Sequence, residues 1–182
     1  MLMITLQRIK DCRPCGDGWK KLLKSKGGTK ADMNLTFPLT DVLDSNDLEA
    51  TLWCLNCFLD HHNLWKKYSV WCARQVQHLM KDQRSIDALN VSWRHSEGLA
   101  TDDELDAAWN AAWNVPMTGS YSARAALWAT RTMNTLWTAT DAALAARDAA
   151  SPETSQAALE SAWNTQEQKL REILTAGEWV EC

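Results

Sequence analysis

The residues of this sequence whose type and spacing could do chemistry are its six cysteines, four of which form two Cys-x2-Cys pairs. The pairs are Cys12 with Cys15 and Cys54 with Cys57. Two such pairs can supply the four thiolates that complete the tetrahedral shell of a structural zinc ion. Cys54 and Cys57 also fall on an apolar face of a predicted helix, where a free cysteine behaves as a small hydrophobic residue. We therefore expect buried thiols and no cofactor or metal, with structural zinc on all four cysteines as the alternative.

The Cys12-Arg13-Pro14-Cys15 segment also permits a redox interpretation. It precedes a predicted helix, whose N-terminus stabilises a thiolate. The thioredoxin context is a βαβ unit, however, and the sequence predicts none. Without a secretory signal, an even number of cysteines does not predict a disulfide framework.

No pattern of residues predicts a catalytic site. The four histidines are His61, His62, His78 and His95, and none belongs to a metal-binding or acid–base motif. The Gly27–Lys30 segment lacks the first glycine and the strand of a phosphate-binding loop. We therefore expect histidines at helix surfaces and ends, and a protein that is not an enzyme.

The elements that must position these residues are helices. Every long segment repeats its apolar residues near every 3.6 positions, and 7 Gly and 4 Pro are too few for an all-β fold. The predicted fold is one all-α domain of residues 1–182 with about six to eight helices. The predicted helices are Thr5–Asp11, Cys15 or Asp17 to Lys26, one capped by Asp44-Ser45-Asn46, Asn63–Met80, one capped by Asp82 or Ser85 and ending at Gly98, one opened by a Thr101–Glu104 capping box, Tyr121–Ala150 and Glu153–Thr175. Residues 29–38 are predicted to form a surface loop.

The composition changes near Gly98, where a mixed-core half (1–98) gives way to an Ala/Trp-repeat half (99–182). The chain has 11 Trp but only 2 Phe and 2 Tyr. Small residues let helices approach closely, and a tryptophan fills the remaining space, so most tryptophans are expected in the core. Trp109, Trp113 and Trp163 have positions that face other helices, whereas Trp128 and Trp179 do not. We expect the latter two to be exposed and available to a partner.

The charge pattern restricts the possible partners. A net charge of −4 argues against a general nucleic-acid binder. No segment is apolar enough to span a membrane, and no signal peptide is evident, so a cytoplasmic protein is expected. Asp102, Asp103, Glu104 and Asp106 crowd one helix start. They are either solvated helix-terminus charges or a surface that steers a basic partner to the chain.

Three stretches and the Ala/Trp-rich tail resemble a known family of helical proteins. The stretches run from Ile4 through Cys15 to Trp19, from Val70 to Leu79, and from Ala88 through His95 and Gly98 to Leu105, and the tail closes on Lys169-Leu170-Arg171-Glu172. They are similar to Imm-5-like immunity proteins of bacteria and their phages. The likeness covers most of the chain, but its motifs are packing motifs and carry over no site residue.

The resemblance implies a non-enzymatic protein that neutralises another macromolecule by binding it. A phage or prophage version would inhibit a bacterial defence system in the cytoplasm of the host cell. The alternatives are an immunity protein that neutralises a toxin, and a zinc- or nucleic-acid-binding regulator that uses the cysteines and the lysines between Lys20 and Lys30.

Overall fold

The computed structural model of this protein describes residues 1–116, 120–131 and 134–181, which fold mainly into α-helices. The all-α prediction is confirmed, and the described residues form ten α-helices instead of the six to eight expected. In chain order the helices are α1 (Leu6–Asp11), α2 (Gly16–Ser25), α3 (Thr40–Ser45), α4 (Leu48–Cys54), α5 (His62–Arg74), α6 (Gln83–Ser96), α7 (Asp102–Trp113), α8 (Tyr121–Ala129), α9 (Thr135–Ala149) and α10 (Ser155–Ala176).

Two short strands accompany the helices. Strand β1 (Met3–Thr5) pairs antiparallel with β2 (Thr36–Pro38), and Ile4 lies opposite Phe37. The prediction of a surface loop over residues 29–38 is therefore wrong at its C-terminal end, where Phe37 is buried. Strands of three residues are too short to show the alternation that identifies a strand in a sequence.

The predicted long helix Tyr121–Ala150 is interrupted. Helix α8 ends at Ala129 and α9 begins at Thr135, while residues 132 and 133 lie outside the described part of the chain. At the end of α8 the hydroxyl of Thr130 donates to the carbonyl three residues earlier, at 2.7 Å. A threonine that bonds to nearby backbone competes with helix continuation, which explains why this alanine-rich segment does not form one helix.

The predicted helix starts are confirmed where a side chain accepts a hydrogen bond from the backbone. Asp82 caps α6, and Thr101 and Glu104 form the capping box of α7. Helix α4 is capped by Asp47 instead of the Asp44–Asn46 segment, because Thr40–Ser45 is already helical. Helix α4 also ends earlier than its apolar pattern, and its chain continues as a 3-10 turn at Leu55–Cys57.

Packing divides the chain into two compact units. Unit 1 comprises Met1–Asp60 and Glu167–Cys182. The residue before its first strand is joined to its last helix, because the Leu2 amide donates to the Leu174 carbonyl at 2.8 Å. The core of unit 1 consists of aliphatic side chains that are almost fully buried: Leu6, Ile9, Leu39, Leu52, Leu55, Leu170, Ile173 and Leu174.

Unit 2 comprises His61–Gln166 and is built around α5, which contacts α6, α8 and α9. The Tyr68 hydroxyl donates to the Gln166 carbonyl at 2.9 Å, and the Gln166 amide donates to the Ala139 carbonyl at 3.0 Å. The compositional change at Gly98 falls inside this unit. Fully buried alanines of α8 and α9 complete its core: Ala125, Ala126, Ala129, Ala139 and Ala143.

Alanines occupy the core of unit 2 in the place where the sequence predicted tryptophans. All eleven tryptophans lie in the described part of the chain, and Trp65 alone is buried. Trp109 packs against a cluster of Ala88, Ala112 and Leu127, as expected. The prediction that Trp113 packs in the core is wrong, because 52% of it is exposed. It follows Ala112 by about 100° on the helix, and Ala112 takes the buried position.

Candidate functional site

The four acidic residues of α7 are divided between helix structure and surface charge. Glu104 belongs to the capping box, in which its side chain accepts from the Thr101 amide at 2.8 Å. The same carboxylate pairs with Arg94 at 3.3 Å, and the backbone hydrogen bond lowers its pKa. Asp106 pairs with Arg131 at 3.3 Å. Asp103 is exposed and makes no ion pair within the described residues.

Asp102 takes part in a chain of three side chains drawn from three helices. Its carboxylate lies 2.8 Å from Nε2 of His95, and Nδ1 of His95 lies 2.9 Å from Nζ of Lys66. Hydrogen bonding by His95 lowers the pKa of Asp102. Lys66 is buried, and burial lowers the pKa of its ammonium to about 8. These contacts connect the buried ammonium of Lys66, through His95, to the exposed carboxylate of Asp102. They explain how a lysine is accommodated in the interior of unit 2.

A stripe of side chains along one face of α7 joins acidic and aromatic groups. Asp102, Asp106, Trp109 and Trp113 are spaced by four, three and four residues, which places them on the same side of a helix. We call these four residues the α7 surface. The rings of Trp109 and Trp113 lie 5.3 Å apart, and the Arg131 guanidinium lies 4.1 Å from the centre of the Trp109 ring.

The α7 surface has an aromatic end that is bound by a neighbouring arginine and is open to solvent. Arg131 is bound both to Asp106 and to the ring of Trp109, so that ring is held from the acidic side. The ring of Trp113 is tilted by 32° against that of Trp109, and Trp113 remains half exposed. Within α7, Ala112 is the one buried residue, so this helix presents most of its circumference to solvent. An apolar group held in this way by polar neighbours is suited to insertion into a partner.

The other exposed tryptophan of the described chain is Trp137, in the first turn of α9, with 56% of its surface exposed. The sequence suggested Trp128 and Trp179 instead, and the expectation that these two are exposed is wrong. Trp128 is half-buried, with its indole nitrogen buried beside Asp141. Trp179 is half-buried under the Lys169 ammonium, which lies 4.9 Å from its ring centre. A partner contact by either residue stays a prediction.

The described cysteines of unit 1 comprise one disulfide, one exposed thiol and one buried thiol, and only the last of these agrees with the expectation of buried thiols. Cys12 and Cys57 form a disulfide that links the two Cys-x2-Cys motifs, so the expectation of free thiols is wrong for these two residues. Cys15 is free and exposed, and Cys54 is free and buried, which raises its pKa to about 12. The described residues contain no group of three or more His, Cys, Asp or Glu side chains placed to hold a metal ion.

The lysines near the N-terminus are used partly within unit 1. Lys26 pairs with Asp41. Lys21 donates to the carbonyl of Asn46 at 2.9 Å, and Lys20 lies 3.5 Å from Asp17. Three of these lysines therefore have partners within unit 1. This favours the interpretation that the lysines form a solvated helix face, and it argues against a surface that binds nucleic acid.

Two clefts of unit 2 offer room for a small molecule but not a set of reactive groups. One, of about 570 Å³, is lined by polar side chains that include Lys81, Asp82 and Tyr121. Asp82 is engaged by Arg84, whose hydrogen bonds lower the pKa of this carboxyl to about 2. The other, of about 310 Å³, is lined by alanines of α9 and α10 together with polar residues that include His78 and Gln166. Among the described residues, no hydrogen bond joins a carboxylate or histidine of either cleft to one of its hydroxyls, so the α7 surface is the stronger candidate site.

The acidic half of the α7 surface is evident in the sequence, whereas its aromatic half is not. The Ala-Ala-Trp repeat suggested that Trp109 and Trp113 were equivalent. The missed signal is that α7 has too few large apolar residues on one face to bury both rings. Lys66 and His95 are 29 residues apart on different helices, and no local pattern joins them.

The described part of the chain contains no helix that combines the length and the apolar character needed to cross a membrane. Comparisons of the chain with models of known families, with curated proteins and with solved structures find no match.

Proposed function

We propose that this protein is a non-enzymatic inhibitor that binds another protein through the α7 surface and blocks it. The observation that carries the proposal is the exposed Trp113, held on the same helix face as Asp102 and Asp106. The resemblance to Imm-5-like immunity proteins favours the same class of activity. The leading role is that of a phage or prophage protein that counters a bacterial defence system in the host cytoplasm.

The aromatic end of the α7 surface can supply the affinity of such a complex. Tryptophan is enriched among the residues that dominate binding energy at interfaces. Burying the exposed half of Trp113 removes on the order of 100 Å² of apolar surface from water, which is worth about 3 kcal/mol, or roughly a hundredfold in affinity. Arg131 already holds the ring of Trp109, and the ring of Trp113 lies against it. Little side-chain entropy is therefore lost when Trp113 is buried in a partner.

The acidic end indicates the chemistry of the partner surface. Asp103 is exposed and pairs with no cation among the described residues, and Asp102 and Asp106 remain exposed although they have partners. A basic surface on the partner would therefore be attracted to this end of α7 and would associate faster at low ionic strength. The partner is best described as a protein with an apolar pocket beside a cluster of Lys and Arg.

The first experiment captures the partner at the proposed contact. A benzophenone amino acid is placed at position 113 in bacterial cells, and the matched control carries it at position 35, where Leu35 is equally exposed in unit 1. We expect a defined protein to be crosslinked from position 113 and not from position 35. Equal crosslinking from the two positions would contradict the assignment of the surface.

The second experiment tests inhibition. The activity of the captured protein is titrated with the purified chain, and an inhibitor that acts by binding reaches full inhibition at a fixed stoichiometric ratio. Catalytic inactivation would instead proceed with far less than one equivalent and would contradict the non-enzymatic proposal.

The third experiment distinguishes a phage protein from a toxin-neutralising immunity protein. Expression in a strain with the defence system should restore phage growth if the leading role is correct. Protection against a coexpressed toxin without any effect on phage growth would favour the immunity role, for which the acidic residues imply a basic toxin such as a nuclease.

A further inference from the structure

A buried cation of unit 2 is connected to the α7 surface by two hydrogen bonds. Lys66 on α5 is 1% exposed, and its Nζ lies 2.9 Å from Nδ1 of His95 on α6. On the other side of the same imidazole ring, Nε2 lies 2.8 Å from the carboxylate of Asp102, the first residue of α7. A single line of polar groups therefore runs from the interior of the unit to its surface.

The chemistry of the two outer groups determines which nitrogen of the ring carries hydrogen. An ammonium group can only donate hydrogen bonds, so Nδ1 of His95 accepts from Lys66. A carboxylate can only accept, so Nε2 carries the hydrogen that is donated to Asp102. The ring is neutral in this arrangement, and charges of opposite sign stand at its two ends.

Two charged groups at the α7 surface act on Lys66 in opposite directions. Burial is the largest influence and lowers the pKa of Lys66 to about 8, the Asp102 charge raises it, and the Arg131 charge lowers it. Arg131 is itself compensated by Asp106, at 3.3 Å. The two carboxylates of the α7 surface therefore help the buried ammonium to keep its proton near neutral pH.

We propose that the α7 surface controls the charge of Lys66, so that a cationic group that binds to Asp102 causes Lys66 to release its proton to solvent. The inference rests on the proposed function, because the partner supplies that cation. A lysine or arginine that pairs with Asp102 cancels the charge that favours the ammonium. One that pairs with Asp106 leaves Arg131 less compensated, which acts in the same direction.

His95 provides the route by which the proton leaves. The ammonium of Lys66 transfers a proton to Nδ1, and the hydrogen on Nε2 passes to solvent, to which 15% of the His95 side chain is exposed. Nδ1 then donates to the lone pair of the neutral amine. The step makes and breaks only N–H bonds, leaves His95 neutral before and after, and delivers one proton to solvent.

Proton release makes the affinity for the partner depend on pH. Because binding releases a proton, the affinity rises with pH while Lys66 is protonated in the free protein, and it becomes constant above about pH 8. Asp102 is exposed, so solvent screens its charge, and we expect the loss of that charge to lower the pKa of Lys66 by about 0.5–1 pH unit. The affinity should therefore rise about three- to tenfold between pH 6 and pH 9.

The first experiment uses the protein without its partner. Protein labelled with ¹³C-lysine is titrated by NMR, and the Cε signal of Lys66, identified by its absence from Lys66→Met, reports the protonation of the amine. We expect a midpoint near pH 8 in wild type and a midpoint about 0.5–1 pH unit lower in Asp102→Asn. The matched control is Asp103→Asn, which removes a charge from the same first turn of α7 and should leave the midpoint unchanged.

Three results of this titration would overturn the proposal. One is a Lys66 signal in wild type that titrates near the ordinary value of 10.5, a result that requires no variant to fold. The others are equal midpoints in wild type and Asp102→Asn, and an equal decrease in Asp102→Asn and Asp103→Asn.

The second experiment measures proton release in the complex. The binding enthalpy of the captured partner is measured at pH 7.5 in phosphate and in Tris, whose ionisation enthalpies differ, and the difference gives the number of protons released. We expect wild type to release about 0.5 proton more per complex than Lys66→Met. Equal release by the two proteins would overturn the coupling. Failure to capture a partner from position 113 would instead contradict the proposed function, and the lysine titration then decides the inference.

Discussion

Replacing Lys66 by methionine should remove a specific part of the pH dependence of folding. Lys66 is only 1% exposed, and its ammonium contacts Nδ1 of His95 at 2.9 Å. Burial is the largest cause of its lowered pKa and the Arg131 charge adds to it, whereas the Asp102 charge acts in the opposite direction. These are the charged groups that face Lys66 from the neighbouring elements.

The sign of the effect follows from the protons bound in each state. The pKa of Lys66 is about 8 in the folded protein and near its ordinary value of 10.5 in the unfolded chain. Between these values the unfolded chain binds more protons, so the free energy of unfolding must rise with pH across this window. One pKa unit corresponds to about 1.4 kcal/mol, which sets a ceiling of about 3 kcal/mol. Solvent screening at the exposed Asp102 carboxylate reduces the expected gain in the free energy of unfolding to about 1–3 kcal/mol.

The assay is urea unfolding followed by circular dichroism at several values between pH 7 and pH 10.5. The free energy of unfolding of Lys66→Met is subtracted from that of wild type at each pH, which cancels the titration of all other groups. We expect the difference to rise by about 1–3 kcal/mol in favour of wild type as the pH increases. At pH 7 the variant should be as stable as wild type or more stable, because an apolar side chain of similar volume replaces a buried charge.

The matched control is Lys67→Met, which changes the next residue on α5, a lysine that pairs with Glu97 at 3.3 Å. Its unfolding free energy should follow that of wild type at every pH. Parallel profiles for wild type and Lys66→Met would refute the assignment of a buried, destabilised ammonium to Lys66.

Three further predictions concern individual contacts. Thr101→Ala should lower the free energy of unfolding by about 1 kcal/mol in urea titrations, because it removes the capping box of α7; no loss would contradict the cap. Tyr68→Phe should lower it by about 0.5–1.5 kcal/mol, because the buried Gln166 carbonyl, which is already bonded within α10, loses its additional hydroxyl donor; the control Tyr121→Phe, on a half-buried tyrosine, should change it less. Asp103→Lys should slow association with the captured partner at low salt and leave stability unchanged; an association rate equal to that of wild type would eliminate steering by this residue.

Periodicity and capping residues made much of the helical framework predictable. Asp82 and Thr101 identify helix starts because their side chains satisfy backbone donors that lie a few residues away. The β1–β2 pair was not predictable, because 30 or more residues separate its strands and each has three residues. The break near Thr130 was missed because alanines on both sides continue the helical pattern.

The predictable part of the candidate site consists of residues that are neighbours in the sequence. The acidic cluster of α7 is visible in the sequence because its members are adjacent. The exposure of Trp113 depends on how α7 packs against α6 and α8, and the burial of Trp128 depends on Asp141 of α9. The Cys12–Cys57 disulfide was missed for a related reason, because the spacing within each motif does not reveal which cysteine of the other motif it faces.

The most direct test of the account is the affinity of the captured partner for three forms of the protein. Wild type, Trp113→Ala and the control Leu35→Ala are compared by calorimetry at one salt concentration. We expect Trp113→Ala to bind roughly a hundredfold more weakly and Leu35→Ala to bind as wild type does. Equal affinities for the two variants would contradict the claim that the α7 surface binds the partner.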